Sequence, residues 1–232
     1  MRPFLHIWQA DLASSHPGGP TAEATLSATE LARLTCLRTP ILRQTYARAH
    51  GFLRNVLGRY TGQASAAVAL SAGANGKPVI AGSALHFNLS YRPGRALLAI
   101  TNTGHVGADI EPLAPLADAG ALIKELFSPP EQAALQAAAP ADYWPLFYLI
   151  WTRKEAYAKA QGMGLALPFA AFSVLSSGTP PRLTSPVGTQ LLSCAIGPGW
   201  QGSVAVLTTA PIAAQHFEYF LDFSHFTLGQ PG

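Results

Sequence analysis

Apolar and polar positions along this chain recur with two periods, and the switches between them mark out the elements. Residues 4–8 read as a first strand and the Pro/Gly stretch 16–20 as a loop. Ser27 followed three residues later by Glu30 has the spacing of a capping box, so a helix begins there and Pro40 interrupts it. From Ile41 to Tyr60 a second helix is predicted, because Tyr46, Ala49, Leu53, Val56 and Leu57 form an apolar stripe at helical spacing. Asn75-Gly76 marks a turn. Residues 86–90 alternate and 95–101 are apolar, which predicts a hairpin around Arg92-Pro93-Gly94. Residues 106–111 read as another strand, with Glu111 held extended by the proline that follows it.

Helices are predicted over 117–127, from Ser128-Pro129-Pro130-Glu131 onward, and over 143–161, where Gly162 and Gly164 end the last one. Residues 172–175, 191–196, 203–208 and 216–221 are strand-like. Strands around helices thus occur twice. We read an α+β chain of two lobes, 1–104 and 105–232, on element order alone.

Composition narrows the class. The chain has 232 residues, 49% hydrophobic, enough for a sizeable core. With 12% charged residues, each charged cluster is informative. The formal charge of +3 and the pI near 9.0 come with no dense Lys/Arg run, so a nucleic-acid partner is not expected, while a phosphorylated ligand or an acidic partner is. Cys36 and Cys194 lack metal-ligand spacing, and no apolar run approaches the length of a membrane span. A cytoplasmic, monomeric protein is expected.

Three constellations carry chemistry. In a strand, Asp109 and Glu111 point to one face and offer two hard oxygen ligands, the donor set that suits Mg²⁺. In the segment Trp151-Thr152-Arg153-Lys154-Glu155-Ala156-Tyr157-Ala158-Lys159, Glu155 and Lys159 share a helix face. Glu155 then serves as a third metal ligand and Lys159 as a clamp on phosphate charge. Upstream, Lys77 after a turn and Ser90 at a strand end can both donate to a phosphate. Each motif alone is better read as an ordinary strand end, helix ion pair or surface lysine.

Taken in order, these segments resemble the 4′-phosphopantetheinyl transferases of the Sfp type. The matching pieces are Gly76-Lys77-Pro78, Phe87-Asn88-Leu89-Ser90, Gly107-Ala108-Asp109-Ile110-Glu111, Phe127-Ser128-Pro129-Pro130-Glu131 and Trp151-Thr152-Arg153-Lys154-Glu155-Ala156, together with the opening His6-Ile7-Trp8-Gln9-Ala10-Asp11-Leu12. The resemblance implies a pseudo-dimer of two similar lobes with the ligand cleft between them. It implies transfer of the phosphopantetheine arm of coenzyme A to a serine of an acyl or peptidyl carrier protein, with loss of adenosine 3′,5′-bisphosphate. By motif match, Asp109, Glu111 and Glu155 would hold Mg²⁺, with Mn²⁺ as an alternative. Lys159 would neutralise the phosphates with support from Lys154, and Glu131 or Glu155 would help deprotonate the carrier serine. Lys77, Pro78, Asn88, Ser90 and Tyr91 would face coenzyme A.

Two positions depart from the family pattern. Tyr91 stands where the family carries a His that reaches the 3′-phosphate, and Thr45 where it often carries an Arg. Arg43, Arg48 or Arg92 are the candidate replacements. Rearranged or weakened 3′-phosphate recognition is therefore expected, and a preference of about tenfold or more in kcat/KM for coenzyme A over its 3′-dephospho form would overturn it. The competing readings are a non-catalytic relative that binds coenzyme A or a carrier, and an unrelated Mg²⁺-dependent phosphate hydrolase.

Overall fold

The computed structural model describes residues 2–13, 22–73, 76–176 and 182–219. The loop at 16–20 and the turn residue Asn75 lie outside the described residues. Among those described, the chain forms two compact units. The first gathers the chain up to Trp8 with Ala69–Arg92 and Leu97–Phe217; the second gathers Gln9–Val68, Pro93–Ala96 and the residues from Glu218.

In the first unit, a three-stranded antiparallel sheet is built from β6 (Val106–Pro112), β8 (Trp200–Leu207) and β7 (Thr189–Cys194), with β8 in the middle. The register sets Asp109 opposite Ser203 and Glu111 opposite Gln201. Alternation along β8 divides the core. Val204 and Val206 pack with Leu5, Ile7, Leu97, Ala108 and Ile110, whereas Ala205 packs with Phe147, Ile150, Ala156 and Val174. The second cluster belongs to α5 (Tyr143–Gln161), which therefore lies on the opposite side of the sheet from the first. Leu5, Ile7 and Leu97 come from a four-stranded sheet of order β4 (His86–Arg92), β5 (Arg95–Thr101), β1 (Leu5–Asp11) and β9 (Ala214–Tyr219). A two-stranded ribbon, β2 (Leu70–Ala72) and β3 (Pro78–Ile80), and the helices α3 (Ala119–Leu126) and α4 (Pro129–Ala137) complete the unit.

In the second unit, α1 (Ala28–Thr35) starts as the capping box requires: Ser27 Oγ accepts from the Glu30 amide and the Glu30 carboxylate accepts from the Ser27 amide. That helix ends before Pro40. Pro40 opens α2 (Pro40–Thr61) as its first residue behind the cap Thr39, where its missing N–H costs nothing. Gly62 closes α2 with φ 67°, a left-handed turn open to glycine. Phe52 packs against Tyr219 with ring centroids 5.0 Å apart and the rings tilted by 53°.

The later strands moved slightly from expectation. Residues 172–175 make a single bridge, Leu175 to Leu183, rather than a strand, because Phe169–Ala171 turns just before them. The last strand is described to Tyr219; residues 220 and 221 lie outside the described residues.

Candidate active site

The close approach of β6 to α5 begins at Gly107. A Cβ placed there would lie 2.0 Å from the Ala156 carbonyl oxygen and 2.4 Å from the Ala160 nitrogen, so only a glycine lets the strand backbone meet the helix. This contact carries Lys159, on the last turn of α5, to Asp109, on the strand. Lys77 fastens the same junction: its Nζ donates to the Val106 carbonyl at 2.6 Å and to the Lys159 carbonyl at 3.0 Å. Burial pushes the Lys77 ammonium down to about 8.

Asp109 is 1% exposed. Its Oδ1 accepts from Lys159 Nζ at 2.5 Å and from Ser90 Oγ at 3.1 Å. Its Oδ2 is buried and has no hydrogen-bond partner. An unsatisfied buried acceptor costs about 1–3 kcal/mol, more when charged, so this oxygen marks a place where a positive or donating group is wanted. Glu111, two residues on, accepts a two-pronged ion pair from Arg92, whose Nε lies 2.8 Å from Oε2 while Nη2 meets Oε1. That contact raises the Arg92 guanidinium further above its ordinary range. Glu155 is half-buried on α5. Burial lifts its carboxyl above the usual range, Lys159 opposes that, and the charges of Asp109 and Glu111 add to it. The structure thus brings together Asp109, Glu111, Glu155, Lys159, Ser90 and Arg92.

Among the described residues, no three His, Cys, Asp or Glu side chains converge closely enough to hold a metal ion as they stand. Lys159 and Arg92 occupy the carboxylates instead. The donor chemistry nevertheless fits a hard divalent cation: three carboxylates coupled by charge, all oxygen, one oxygen unpaired.

Comparison with known proteins decides the family. The chain is 36% identical over 166 residues, 70% of either chain, to the 4′-phosphopantetheinyl transferase HetI of Nostoc sp.. The chain belongs to the 4′-phosphopantetheinyl transferase superfamily. The profile of that superfamily matches residues 105–206, which run from the start of β6 to the end of β8 and include α5. Two further relatives in the superfamily are a 4′-phosphopantetheinyl transferase of Bacillus subtilis, 39% identical over 43% of either chain, and AcpT of Salmonella typhimurium, 40% identical over 39% of this chain and 47% of its own.

Other residues singled out in this phosphopantetheinyl transferase sequence lie elsewhere. Glu131 and Lys154 are both fully buried and face each other at 2.9 Å. Lys154 Nζ also donates to the Phe169 and Phe172 carbonyls at 2.6 and 2.7 Å. Glu131 accepts from the amides of Ser128 and Val174 at 2.8 and 2.7 Å and from Ser173 Oγ at 3.3 Å. Both charges are saturated by protein. Asn88 Oδ1 accepts from the Ala108 amide at 2.8 Å and ties β4 to β6. Pro78 lines a cavity of about 240 Å³ with Lys77, His86, Phe87 and His105. Tyr91 is half-buried beside Ser90 on β4. Arg43 and Arg48 lie on α2 in the second unit, where Arg43 donates to the Leu37 carbonyl at 2.9 Å and Arg48 to the Leu12 carbonyl at 2.5 Å.

Arg153 escaped the sequence reading. It is buried and donates to the Thr184 carbonyl at 2.7 Å, holding the chain before β7 against α5. Burial lowers its guanidinium to about 10. The signal available in sequence was its place one residue before Lys154, on a helix that is apolar on most sides.

Proposed function

We propose that this protein transfers the 4′-phosphopantetheine arm of coenzyme A to a serine hydroxyl of an acyl or peptidyl carrier protein, releasing adenosine 3′,5′-bisphosphate, in a reaction dependent on Mg²⁺ or Mn²⁺. The observation that carries this reading is the buried, unpaired Oδ2 of Asp109 beside Glu111 and Glu155, in a chain of this superfamily.

Asp109, Glu111 and Glu155 would hold the cation. Bound there, it supplies neutralisation of the pyrophosphate oxygens. Lys159, whose side chain is 30% exposed, retains a donor beyond its contacts with Asp109 and Ser90 and offers it to the phosphates. Glu155, which shares a face of α5 with Lys159, accepts the serine proton directly or through water. The serine oxygen bonds to the phosphorus nearer pantetheine, and the bond from that same phosphorus to the bridging oxygen breaks, so that the oxygen leaves with adenosine 3′,5′-bisphosphate. In this reading Glu131 and Lys154 hold α5 in place rather than touch substrate, because neither has an exposed atom or a free valence.

Ser90, Tyr91 and Pro78 keep their assignment to coenzyme A. Lys77 and Asn88 frame the site by fastening β6. Arg43 and Arg48 are assigned to the nucleotide phosphates. The pseudo-dimeric organisation, 1–104 and 105–232, belongs to the same proposal, as do a monomeric state and a cytoplasmic location. No helix among the described residues is long and apolar enough to cross a membrane.

Intact-mass spectrometry of an apo carrier incubated with the protein, coenzyme A and Mg²⁺ tests the reading. The carrier is expected to gain one phosphopantetheine arm, and to lose that gain with Glu155→Ala or without metal. No gain across several carriers, with coenzyme A still bound, selects the non-catalytic alternative.

A further inference from the structure

The three carboxylates assigned to the cation are engaged very differently. Asp109 meets Lys159 through Oδ1 and keeps Oδ2 bare. Glu155 carries no ion pair among the described residues. Glu111 is closed: Arg92 donates to both of its oxygens, Nε to Oε2 at 2.8 Å and Nη2 to Oε1. A two-pronged guanidinium contact is among the strongest a carboxylate makes, and it engages both oxygens at once. A cation using the lone pairs left over would sit against a like charge. Asp109 and Glu155 can therefore receive a cation without losing a partner, whereas Glu111 cannot.

The cap on Glu111 is placed where it can leave. Arg92 is the last residue of β4, at the turn of the hairpin, and its side chain is 44% exposed against 12% for Glu111. Water can take up a guanidinium that swings out of such a position, so this pair is exchangeable in a way that Lys154 and Glu131 are not. Nor does the fold need the pair to join β4 to β6. Asn88 accepts from the Ala108 amide at 2.8 Å and Ser90 donates to Asp109 at 3.1 Å, both out of solvent. Charge supplies a reason for the exchange. Three carboxylates face two cations, Lys159 and Arg92, and Arg92 feels all three. A divalent cation alone would turn this small negative surplus positive. One accompanied by phosphate oxygens restores the balance and gives Arg92 a new anion to meet.

We propose that Arg92 is a displaceable counter-ion of the cation site: it caps Glu111 while the site is empty, and it moves from that carboxylate to phosphate oxygens when a divalent cation and a phosphorylated ligand arrive together. Arg92 thereby makes metal and ligand bind as a pair and keeps the carboxylates from collecting metal alone. This inference rests on the assignment of Glu111 to the cation in the proposed transferase.

Mn²⁺ binding to the full chain, with no carrier present, tests it, read from the paramagnetic resonance of the free ion with and without coenzyme A. In the wild type, coenzyme A should tighten Mn²⁺ binding by about tenfold or more, and Mn²⁺ should tighten coenzyme A by the same factor. Arg92→Gln removes the cap. With Glu111 uncapped about a tenth of the time in the wild type, Mn²⁺ alone should bind the variant about tenfold tighter, and the further tightening by coenzyme A should shrink. Arg92→Lys, a point charge without the two-pronged fork, should lie between the two. Arg95→Gln is the control: Arg95 lies on the same hairpin but pairs with Asp11 at 3.4 Å, and its loss should leave Mn²⁺ affinity within about twofold. Thermal melts show that each variant is folded. Unchanged or weaker Mn²⁺ binding in Arg92→Gln overturns the proposal. So does equal tightening in Arg95→Gln, which makes the effect one of overall charge. If no carrier is modified, the transferase reading fails by itself, and the Mn²⁺ titrations still decide for or against Arg92. If neither wild type nor variant binds Mn²⁺, the cation site and its counter-ion fall together, and transfer without metal shows whether the transferase reading survives them.

Discussion

Helix α5 carries two lysine–carboxylate pairs one and a half turns apart, and they differ in how completely the protein satisfies them. Lys154 meets Glu131 with neither side chain exposed, and two carbonyls, two amides and a serine hydroxyl fill the remaining positions. Lys159 meets Asp109 with 30% of its side chain exposed and one carboxylate oxygen left bare. A saturated buried pair has nothing left to give a ligand; removing one partner strands the other. An unsaturated pair is already short of a partner and gains when a ligand arrives. The two neighbours on one helix therefore separate fastening from chemistry, although in sequence both read as the same Lys-and-carboxylate motif.

The largest effect is expected at the unsaturated pair. Asp109→Asn keeps the shape of the side chain and removes the charge. Transfer should fall by about a thousandfold, roughly 4 kcal/mol of lost transition-state stabilisation, while the melting temperature changes little, because the Lys159 ammonium left without its partner is partly exposed and can be solvated. Paired measurement of kcat/KM and Tm checks both halves. A variant that melts well below the wild type yet turns over normally would place Asp109 with the fastenings and erase the contrast.

Glu131→Gln should do the reverse. It leaves the Lys154 ammonium buried without a counter-charge, for a loss of about 3 kcal/mol in chemical denaturation. A folded sample below its melting temperature should still transfer at near wild-type kcat. Lys154→Met added to Glu131→Gln should recover part of the stability, since the stranded charge goes too. If Glu131→Gln instead stays fully stable and loses transfer as badly as Glu155→Ala, then Glu131 is the base and the contrast is inverted.

How far this contrast can be read in the sequence depends on where partners come from. Ser27 with Glu30, Pro40, Gly162, the hairpin at Arg92-Pro93-Gly94 and the acid pair on β6 are local signals, and the structure follows them. Asp109 and Glu155 could be singled out because carboxylates two apart on a strand, and a Glu four before a Lys on a helix, fix their own faces. The fate of Lys154 could not, because its partners Phe169 and Phe172 offer main-chain carbonyls, and any residue has one. Arg153 was invisible for the same reason: Thr184 serves it through its backbone. Lys77 read as a phosphate donor, while its observed partners are again carbonyls, of Val106 and Lys159. Side-chain chemistry is legible in sequence; side chain to main chain pairing across tens of residues is not.

A third buried carboxylate, in the other unit, sharpens the rule with a smaller effect. Glu30 is saturated like Glu131: it accepts from His50 at 2.9 Å, from the Ser27 amide and hydroxyl at 2.9 and 2.8 Å, and from Arg54. Burial alone would lift its carboxyl, but the bonds from His50, Ser27 and Arg54 outweigh it and hold the group at about 2, against an ordinary 4.5. A carboxyl depressed on folding adds stability above its unfolded value and loses it as the pH falls toward the folded one. The contribution, on the order of 2 kcal/mol, should therefore be intact at neutral pH and decline as the pH drops below the ordinary carboxyl range. Denaturant melts from pH 7 down to about pH 3 should show this decline, and Glu30→Gln should flatten part of it while transfer at pH 7 by folded protein is unchanged. An acid profile identical in Glu30→Gln would mean that the capping box and the Arg54 contact are already formed in the unfolded chain. In that case saturation in the folded state would be no guide to what a carboxylate contributes, at Glu30 or at Glu131.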